Sequence, residues 1–196
     1  MSYPFRGSVV ELEIARGHDG FLRGPPDPVL IFGVYACFGG EVVVIGRSLH
    51  RFRPRPPFPS SIAPDGAPLP SAMVGTSATP RFVVLAIALE EDGGKDVQRL
   101  YGAVEHHRKI ALWDIEHHDV DPTPITALDE GWGAPTAAEL HFDAQAASGG
   151  CSSDKWIGAV AWALRPRPQP QSSLYRLPFL APDRRNDWTA IVDIAH

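Results

Sequence analysis

The sequence is short of cysteine, of basic charge and of long apolar runs. It has two cysteines in 196 residues, so at most one disulfide can form, and we expect buried thiols in a reducing cytosol instead. The formal net charge of −5 argues against nucleic-acid binding, which needs a basic surface. A local basic patch remains around Arg47, Arg51, Arg53 and Arg55. No run approaches the ~18 apolar residues of a membrane-spanning helix, and no apolar run of signal-peptide length opens the chain, so we expect a cytoplasmic protein.

Motifs for phosphate-binding loops and for nucleophilic catalysis are also missing. Gly39-Gly40 and Gly93-Gly94 lack the required spacing and the Lys-Ser/Thr ending. The serines lie outside any Gly-x-Ser-x-Gly elbow, and Cys151 has no cue for a paired base. The carboxylates of Glu90 and Glu91 are expected at a solvated strand end. The sequence therefore predicts a protein that is not an enzyme.

Turn-forming residues are abundant. Twenty prolines and eighteen glycines favour many turns over long helices, while 44% hydrophobic residues allow one sizeable core. The length suits a single domain covering residues 1–196. Prolines are concentrated between residues 53 and 80, where we expect a long irregular surface loop.

Period-two and apolar runs predict strands at residues 9–15, 29–37, 41–46, 81–89, 138–144, 156–164 and 188–195. The second and third form a hairpin around Gly39-Gly40. Residues 165–173 are predicted to be a proline-rich connection, and residues 174–187 receive no assignment. Apolar residues three or four apart predict one amphipathic helix inside an insertion at about 95–118. These elements predict a mainly β protein, an antiparallel two-sheet β-sandwich with one inserted helix.

Two tryptophans share the strand predicted at residues 156–164. Trp156 and Trp162 are six residues apart, so both are expected on the same face, as core packing.

Two aspartate-bearing loops each run into a predicted strand, one near each end of the chain. Asp19 and Asp27 belong to the first loop, and Asp143 and Asp154 to the second. If the fold brings the loops together, four carboxylates converge at one edge, where they suit a hard cation with oxygen ligands. The alternative is that these aspartates are turn and cap residues, because aspartate side chains bond their own backbone.

Four segments carry a resemblance to a known family. They are the strand Val10-Glu11-Leu12-Glu13-Ile14-Ala15-Arg16, the strand start Asp27-Pro28-Val29-Leu30, the segment Asp154-Lys155-Trp156-Ile157-Gly158 and the closing run Trp188-Thr189-Ala190-Ile191-Val192. In this order and setting they resemble C2 domains, the sandwich modules that bind calcium and lipid. The resemblance covers about half of the chain.

The resemblance implies a Ca²⁺ site held by Asp19, Asp27, Asp143 and Asp154, with Ca²⁺ as the cofactor. The chain departs from the family pattern at Gln145, which stands where a further aspartate is expected, and residues 146–150 lengthen that loop.

Phe21 and Arg23 at the tip of the first loop are predicted to contact a membrane or a partner, since an apolar wedge beside a cation suits a lipid interface. The alternative is that Phe21 folds back over the end of the sandwich. The implied function is a non-enzymatic module on a phospholipid surface or a protein partner, peripheral to the membrane and with or without calcium.

A second hypothesis is a scaffold component of a bacterial assembly or defence system, including a homo-oligomer. It draws on the proline-rich loop and on the helix, which carries Glu105-His106-His107 and Glu116-His117-His118. The two triplets are eleven residues apart, so both lie on one helical face, yet ~16 Å separates them along the axis. They are therefore expected to form a solvated face and not one metal site.

Overall fold

Nine strands and one helix make up the part of the chain that the computed structural model describes, which is residues 1–17, 25–38, 41–93, 95–104, 155–166, 169–181 and 184–196. The helix α1 spans Lys95–Val104 and follows the sixth strand. The strands are β1 Ser2–Arg16, β2 Pro28–Phe38, β3 Glu41–Arg51, β4 Ser60–Ile62, β5 Ala72–Gly75, β6 Arg81–Glu90, β7 Lys155–Leu164, β8 Ser172–Leu180 and β9 Asp187–Ala195.

The strands form two antiparallel sheets, so the predicted mainly β sandwich is confirmed. The first sheet has the order β4-β1-β9-β8, and β5 also pairs with β1. The second sheet has the order β3-β2-β6-β7. Fully buried side chains from both sheets, including Leu12, Phe32, Trp162 and Trp188, form the core between them. Burial of such apolar surface is the main stabilising term of the fold.

The outer faces of the two sheets differ in polarity. Burial alternates along β9, so its second face meets solvent, and an ion pair between Arg176 and Glu13 crosses this face with Nη2 and Oε2 2.6 Å apart. Along β2 and β6, by contrast, both faces are buried. A second apolar cluster lies on the outside of the second sheet, where Val97 and Leu100 of α1 join Ile31 and Leu85. The second sheet is therefore the middle layer of the molecule.

Close packing fixes α1 on this sheet at Gly33. A Cβ atom at Gly33 would lie 2.5 Å from Cγ1 of Val104, closer than real Cβ atoms come. The hydroxyl of Tyr35 donates a hydrogen bond of 2.6 Å to the carbonyl of Val104. The guanidinium of Arg47 lies 4.2 Å from the ring centroid of Tyr101 and donates to the carbonyl of that residue. Strands β2 and β3 thus both hold the helix.

Most of the predicted strands are present, with changed limits. Residues 9–15 belong to the longer β1, and residues 41–46 to the longer β3, which forms a hairpin with β2 from the pair Phe38 and Glu41. The prediction of an irregular loop at residues 53–80 is wrong in part, because β4 and β5 lie there and both pair with β1. Strand β8 begins in the predicted connection, at Ser172, and otherwise falls in the unassigned region. The strand predicted at residues 138–144 and the helix beyond Val104, with its histidine triplets, lie outside the described residues.

The prediction that Trp156 and Trp162 share a face is wrong. The register between β6 and β7 shifts between Gly158 and Trp156, which marks a β-bulge. An extra residue in one strand reverses the alternation beyond it. Trp156 therefore packs in the outer cluster with Ala159, while Trp162 packs in the core between the sheets.

Two further expectations concern thiols and membrane spans. Cys37 is a buried thiol on β2, as expected, and Cys151 lies outside the described residues. Among the described residues, no helix is both long and apolar enough to cross a membrane.

Candidate functional site

One end of the sandwich, which we call the loop end, carries the charged side chains that are candidates for binding a ligand. Strands β1, β3, β6 and β8 finish there, and β2, β7 and β9 begin there, as the pairs Arg16 with Asp187 and Pro28 with Glu90 show. The two sheets touch at this end, since a Cβ atom at Gly17 would lie 2.7 Å from Cγ of Pro26. The loop end is therefore formed by both sheets.

Asp27 lies at the loop end, exposed, just before β2. Its carbonyl accepts a hydrogen bond of 3.0 Å from the backbone N–H of Glu91. Of the other predicted ligands, Asp19, Asp143 and Asp154 lie outside the described residues, as do Phe21 and Arg23. The described residues contain no group of three or more His, Cys, Asp or Glu side chains that could hold a metal ion. The calcium site stays a prediction.

The two carboxylates at the end of β6 lie in different surroundings. Glu91 accepts two hydrogen bonds from Arg51, 2.6 Å from Nε and 2.7 Å from Nη2, which is the paired geometry that guanidinium favours. Glu90 is only 1% exposed, although a solvated strand end is expected from the sequence. The second-sheet side of the loop end therefore carries carboxylates, one buried and one paired.

The first-sheet side of the loop end carries arginines. Arg16 at the end of β1 and Arg185 before β9 line an open cleft of about 510 Å³, together with Ala15, Gly17 and Phe58. The ring of Phe58 is half-buried and packs against the core, so it forms an apolar wall of the cleft. Positive charge beside an apolar wall is suited to an anionic ligand with some apolar character.

An ion pair occupies one side of this cleft. Nη2 of Arg16 lies 2.9 Å from Oδ2 of Asp187, and the two side chains are 56% and 36% exposed. A pair this exposed contributes only about 0–1 kcal/mol. Its main effect is to orient the guanidinium of Arg16 near the mouth of the cleft.

The turn between β8 and β9 holds the second arginine. The N–H of Ala181 donates to the carbonyl of Asn186 at 3.0 Å, and the N–H of Arg184 donates to the carbonyl of Ala181 at 2.7 Å. Asn186 is fully buried, whereas Arg184 and Arg185 are exposed. A hydrogen-bonded turn with a buried anchor thus presents two consecutive cations to solvent.

Sequence reasoning did not find Arg16, Phe58 or Arg185. In the sequence, Arg16 marks only the end of a strand, and Phe58 lies in the proline-rich segment. A usable signal was present at residues 182–187, where Pro182-Asp183 followed by two arginines marks a turn between two apolar runs. Recognising that turn requires β8 to be recognised first.

A second polar group, away from the loop end, surrounds His196. Its Nδ1 lies 2.7 Å from the carbonyl of Arg165, and its Nε2 lies 3.1 Å from the hydroxyl of Tyr175. Because Nδ1 must donate to the carbonyl, Nε2 of a neutral ring accepts from the tyrosine. The group is buried and serves to hold the end of β9 against β8.

Fold and site together define a class, a β-sandwich with an arginine-lined cleft at its loop end. Comparison with known proteins finds no matching family model, no matching curated protein and no matching solved structure. The function is therefore argued from the cleft itself.

Proposed function

We propose that this protein is a non-enzymatic binding module that docks its loop end on an anionic phospholipid surface. One observation carries the proposal, the cleft of about 510 Å³ lined by Arg16 and Arg185 with Phe58 as its apolar wall. Guanidinium groups bind phosphate oxygens through paired N–H donors and are readily desolvated. An aromatic ring beside cations suits the boundary between lipid headgroups and acyl chains.

Further cations support the same face. Arg53 and Arg55 are exposed in the segment that leads from β3 to Phe58, and Arg184 is exposed next to Arg185. Each basic residue near an anionic membrane surface contributes about 1 kcal/mol of attraction. The resemblance to C2 domains, which dock by one end of a sandwich, agrees with this placement.

A calcium-dependent form of the proposal uses the acidic loops. Asp27 is exposed at the loop end, and Asp19, Asp143 and Asp154 are the predicted further ligands. A bound Ca²⁺ would lower the negative potential of those loops and add a contact to lipid phosphate. The arginine cleft needs no metal, so the two forms give different results with chelator.

Vesicle co-sedimentation tests the proposal. Phosphatidylcholine vesicles with and without phosphatidylserine are used, each in calcium and in chelator. We expect binding only to the vesicles with phosphatidylserine. Binding that persists in chelator assigns it to the arginines, and binding that needs calcium assigns it to the aspartates. Absence of binding in both conditions contradicts the proposal.

A charge reversal locates the contact. Arg185→Glu replaces a cleft cation by an anion, and we expect at least about a tenfold loss of affinity, since charge-assisted hydrogen bonds contribute ~1.5–3 kcal/mol. Arg6→Glu is the matched control, because Arg6 is exposed at the opposite end of β1, in register with Ala195. Equal losses in both variants would indicate an effect of net charge without a specific site.

A second candidate function is a scaffold for protein docking. Leu174 and Leu180 on β8 are 45% and 50% exposed, with Pro178 exposed between them, on a strand at the edge of the first sheet. Exposed apolar residues on an edge strand suit contact with another chain. Light scattering after size-exclusion chromatography separates the two functions, because a defined oligomer abolished by Leu174→Asp would favour the scaffold.

A further inference from the structure

We infer that the cleft between β1 and the β8–β9 turn is a phosphomonoester site formed by Arg16 and Arg185 against the ring of Phe58. The inference rests on the proposed function and deepens it by naming the headgroup chemistry. Both cations lie at the first-sheet side of the loop end, apart from the carboxylates that end β6. The site needs no calcium.

The base of Arg185 is held in place before any ligand arrives. The next residue, Asn186, is fully buried, and its carbonyl accepts the N–H of Ala181 at 3.0 Å. A cation on a fixed backbone loses less conformational entropy on binding than one on a free loop. Preorganisation of this kind is expected of a binding residue.

Arg184 adopts a backbone conformation that arginine rarely takes. Its φ is +58°, in the left-handed region that favours glycine or asparagine. The backbone of this turn favours glycine at position 184, yet the residue there is arginine. Residues in such unfavourable backbone conformations are concentrated at functional sites. The cation next to Arg185 therefore adds positive charge beside the cleft, which favours a ligand of negative charge.

The geometry of Arg16 leaves room for an anion. Its contact with Asp187 uses Nη2, at 2.9 Å, whereas a guanidinium offers five N–H donors in a planar fork. A phosphate can approach the remaining side of the fork without breaking the pair. Asp187 then fixes the plane in which the fork points.

The shape of the cleft and the charges of the residues around it limit where the anion can bind. A Cβ atom at Gly17 would lie 3.2 Å from the ring of Phe58, so glycine brings the ring close to the end of β1. A neighbouring groove of about 310 Å³ shares Ala15 and is lined by Glu13, whose carboxylate pairs with Arg176. In the cleft itself Asp187 pairs with Arg16. We therefore place the phosphate in the part of the cleft near Arg185, and the rest of the ligand against the ring of Phe58.

The arginines favour a phosphomonoester over a phosphodiester. A phosphomonoester offers three terminal oxygens and a charge of about −1.5 to −2 near neutral pH. A phosphodiester offers two such oxygens and a single charge. Arg16 and Arg185 both line the cleft, so the ligand with more terminal oxygens and more charge gains most from this site. It can come from an acidic lipid such as phosphatidic acid or from a soluble phosphorylated polyol.

Soluble probes test the site in the absence of a membrane and of calcium. The full chain is titrated with glycerol 3-phosphate, a monoester, and with dimethyl phosphate, a diester, at equal ionic strength. We expect amide chemical-shift changes at Gly17 and Arg185 with the monoester only, and about tenfold weaker binding in Arg185→Gln. Arg6→Gln, which removes the same charge at the opposite end of β1, is expected to bind like the wild type. Equal responses to the two probes, or unchanged affinity in Arg185→Gln, would overturn the site.

Substitution of Arg184 separates an effect on ligand binding from an effect on protein stability. Arg184→Gly relieves the left-handed backbone, so we expect a higher melting temperature together with weaker binding of glycerol 3-phosphate. A variant that is stabilised but binds as before shows that the cation has no part in the site.

Vesicles separate failure of this inference from failure of the proposed function. Phosphatidic acid and phosphatidylserine vesicles of matched charge are compared in chelator, and we expect tighter binding to phosphatidic acid. Equal binding to both overturns the monoester preference and leaves membrane docking intact. Binding of glycerol 3-phosphate with no binding to either vesicle supports the site and overturns membrane docking.

Discussion

A single histidine on β3 makes stability depend on pH. His50 is half-buried, with Nε2 3.1 Å from Oγ of Ser48 and its ring 6.2 Å from that of Phe32. Burial lowers the pKa of His50 from its ordinary value of 6.5, and a hydrogen bond with the backbone of Pro68 only partly offsets this. The unfolded chain, whose histidine titrates near 6.5, therefore binds the proton more readily than the folded chain.

The sign of the effect follows from this difference. Where the unfolded state holds more protons, stability rises with pH. The contribution of His50 is thus fully present above a pH of about 6.5 and is lost as the pH falls through the lowered pKa. We predict that His50→Gln flattens the dependence of the urea midpoint on pH below about 6.5. Parallel curves for the variant and the wild type would contradict this assignment.

At the level of single residues, the sequence shows chemistry but not position. Asp27 is recognisable as a loop residue beside a strand, and it lies where that pattern predicts, exposed at the start of β2. Arg16 and Arg185 are 169 positions apart (185 − 16) and line one cleft because β1 and β9 pair. No local pattern encodes that distance, which depends on the topology of the sheet.

At the level of elements, α1 meets β2 at one close contact and one hydrogen bond. Gly33 on β2 leaves room for Val104, and Tyr35 donates to the carbonyl of Val104. Burial raises the pKa of Tyr35, so its hydroxyl stays protonated and remains a donor.

We predict that Gly33→Ala destabilises the protein by about 1–3 kcal/mol, since the added methyl would overlap Val104 and the Tyr35 hydroxyl. Gly75→Ala is the matched control, because no heavy atom lies within 4 Å of its Cβ position, and its effect should stay within about 0.5 kcal/mol. Urea unfolding followed by circular dichroism measures both changes. Equal effects of the two substitutions would show that the helix does not pack closely at Gly33.

Removal of the hydroxyl is a separate test of the same element. Tyr35→Phe leaves the ring in the outer cluster but removes the hydrogen bond that the hydroxyl donates to the carbonyl of Val104. We predict a loss of about 1–3 kcal/mol, the cost of a buried acceptor that loses its donor. Hydrogen exchange of the α1 amides should speed up more than that of β1. A uniform change across the protein would show that the bond does not act on the helix specifically.

Elements with an uninterrupted pattern are predictable here, and interrupted ones are not. Strand β6 is a single apolar run and was found to within one residue. Strand β8 alternates Tyr175, Leu177 and Phe179 toward the core. The proline at 178 and the outward-facing Leu174 and Leu180 obscure this period. The bulge in β7 inverts the face of Trp156, and nothing in the local sequence marks the extra residue. Irregularities of pairing are set by the neighbouring strand.

At the level of the whole molecule, the distribution of charge matters more than its sum. The chain carries a net charge of −5, which would repel an anionic membrane if it were spread evenly. On the first-sheet side of the described loop end, Arg16 and Arg185 outnumber Asp187, which pairs with Arg16. On the second-sheet side, Glu90 and Glu91 outnumber Arg51, which pairs with Glu91. Such a molecule is attracted in one orientation only.

Because the attraction depends on exposed charges, we expect salt to weaken binding to vesicles strongly. Exposed charges are screened over about 8 Å at physiological ionic strength. We predict that raising the salt concentration weakens vesicle binding of the wild type more than that of Arg185→Gln. Co-sedimentation over a salt series measures the two slopes, and equal slopes would show that Arg185 makes no contact with lipid phosphate.

The most direct test asks which end of the sandwich meets the membrane. Isotope-labelled protein is bound to lipid nanodiscs that contain phosphatidic acid and a gadolinium-labelled headgroup, and amide signals are compared with an unlabelled nanodisc. The structure predicts that signals of Gly17, Arg185 and Asp187 broaden, while those of Arg6 and Gly75 persist. Broadening along β8 with the loop-end signals unchanged would contradict docking by the arginine cleft.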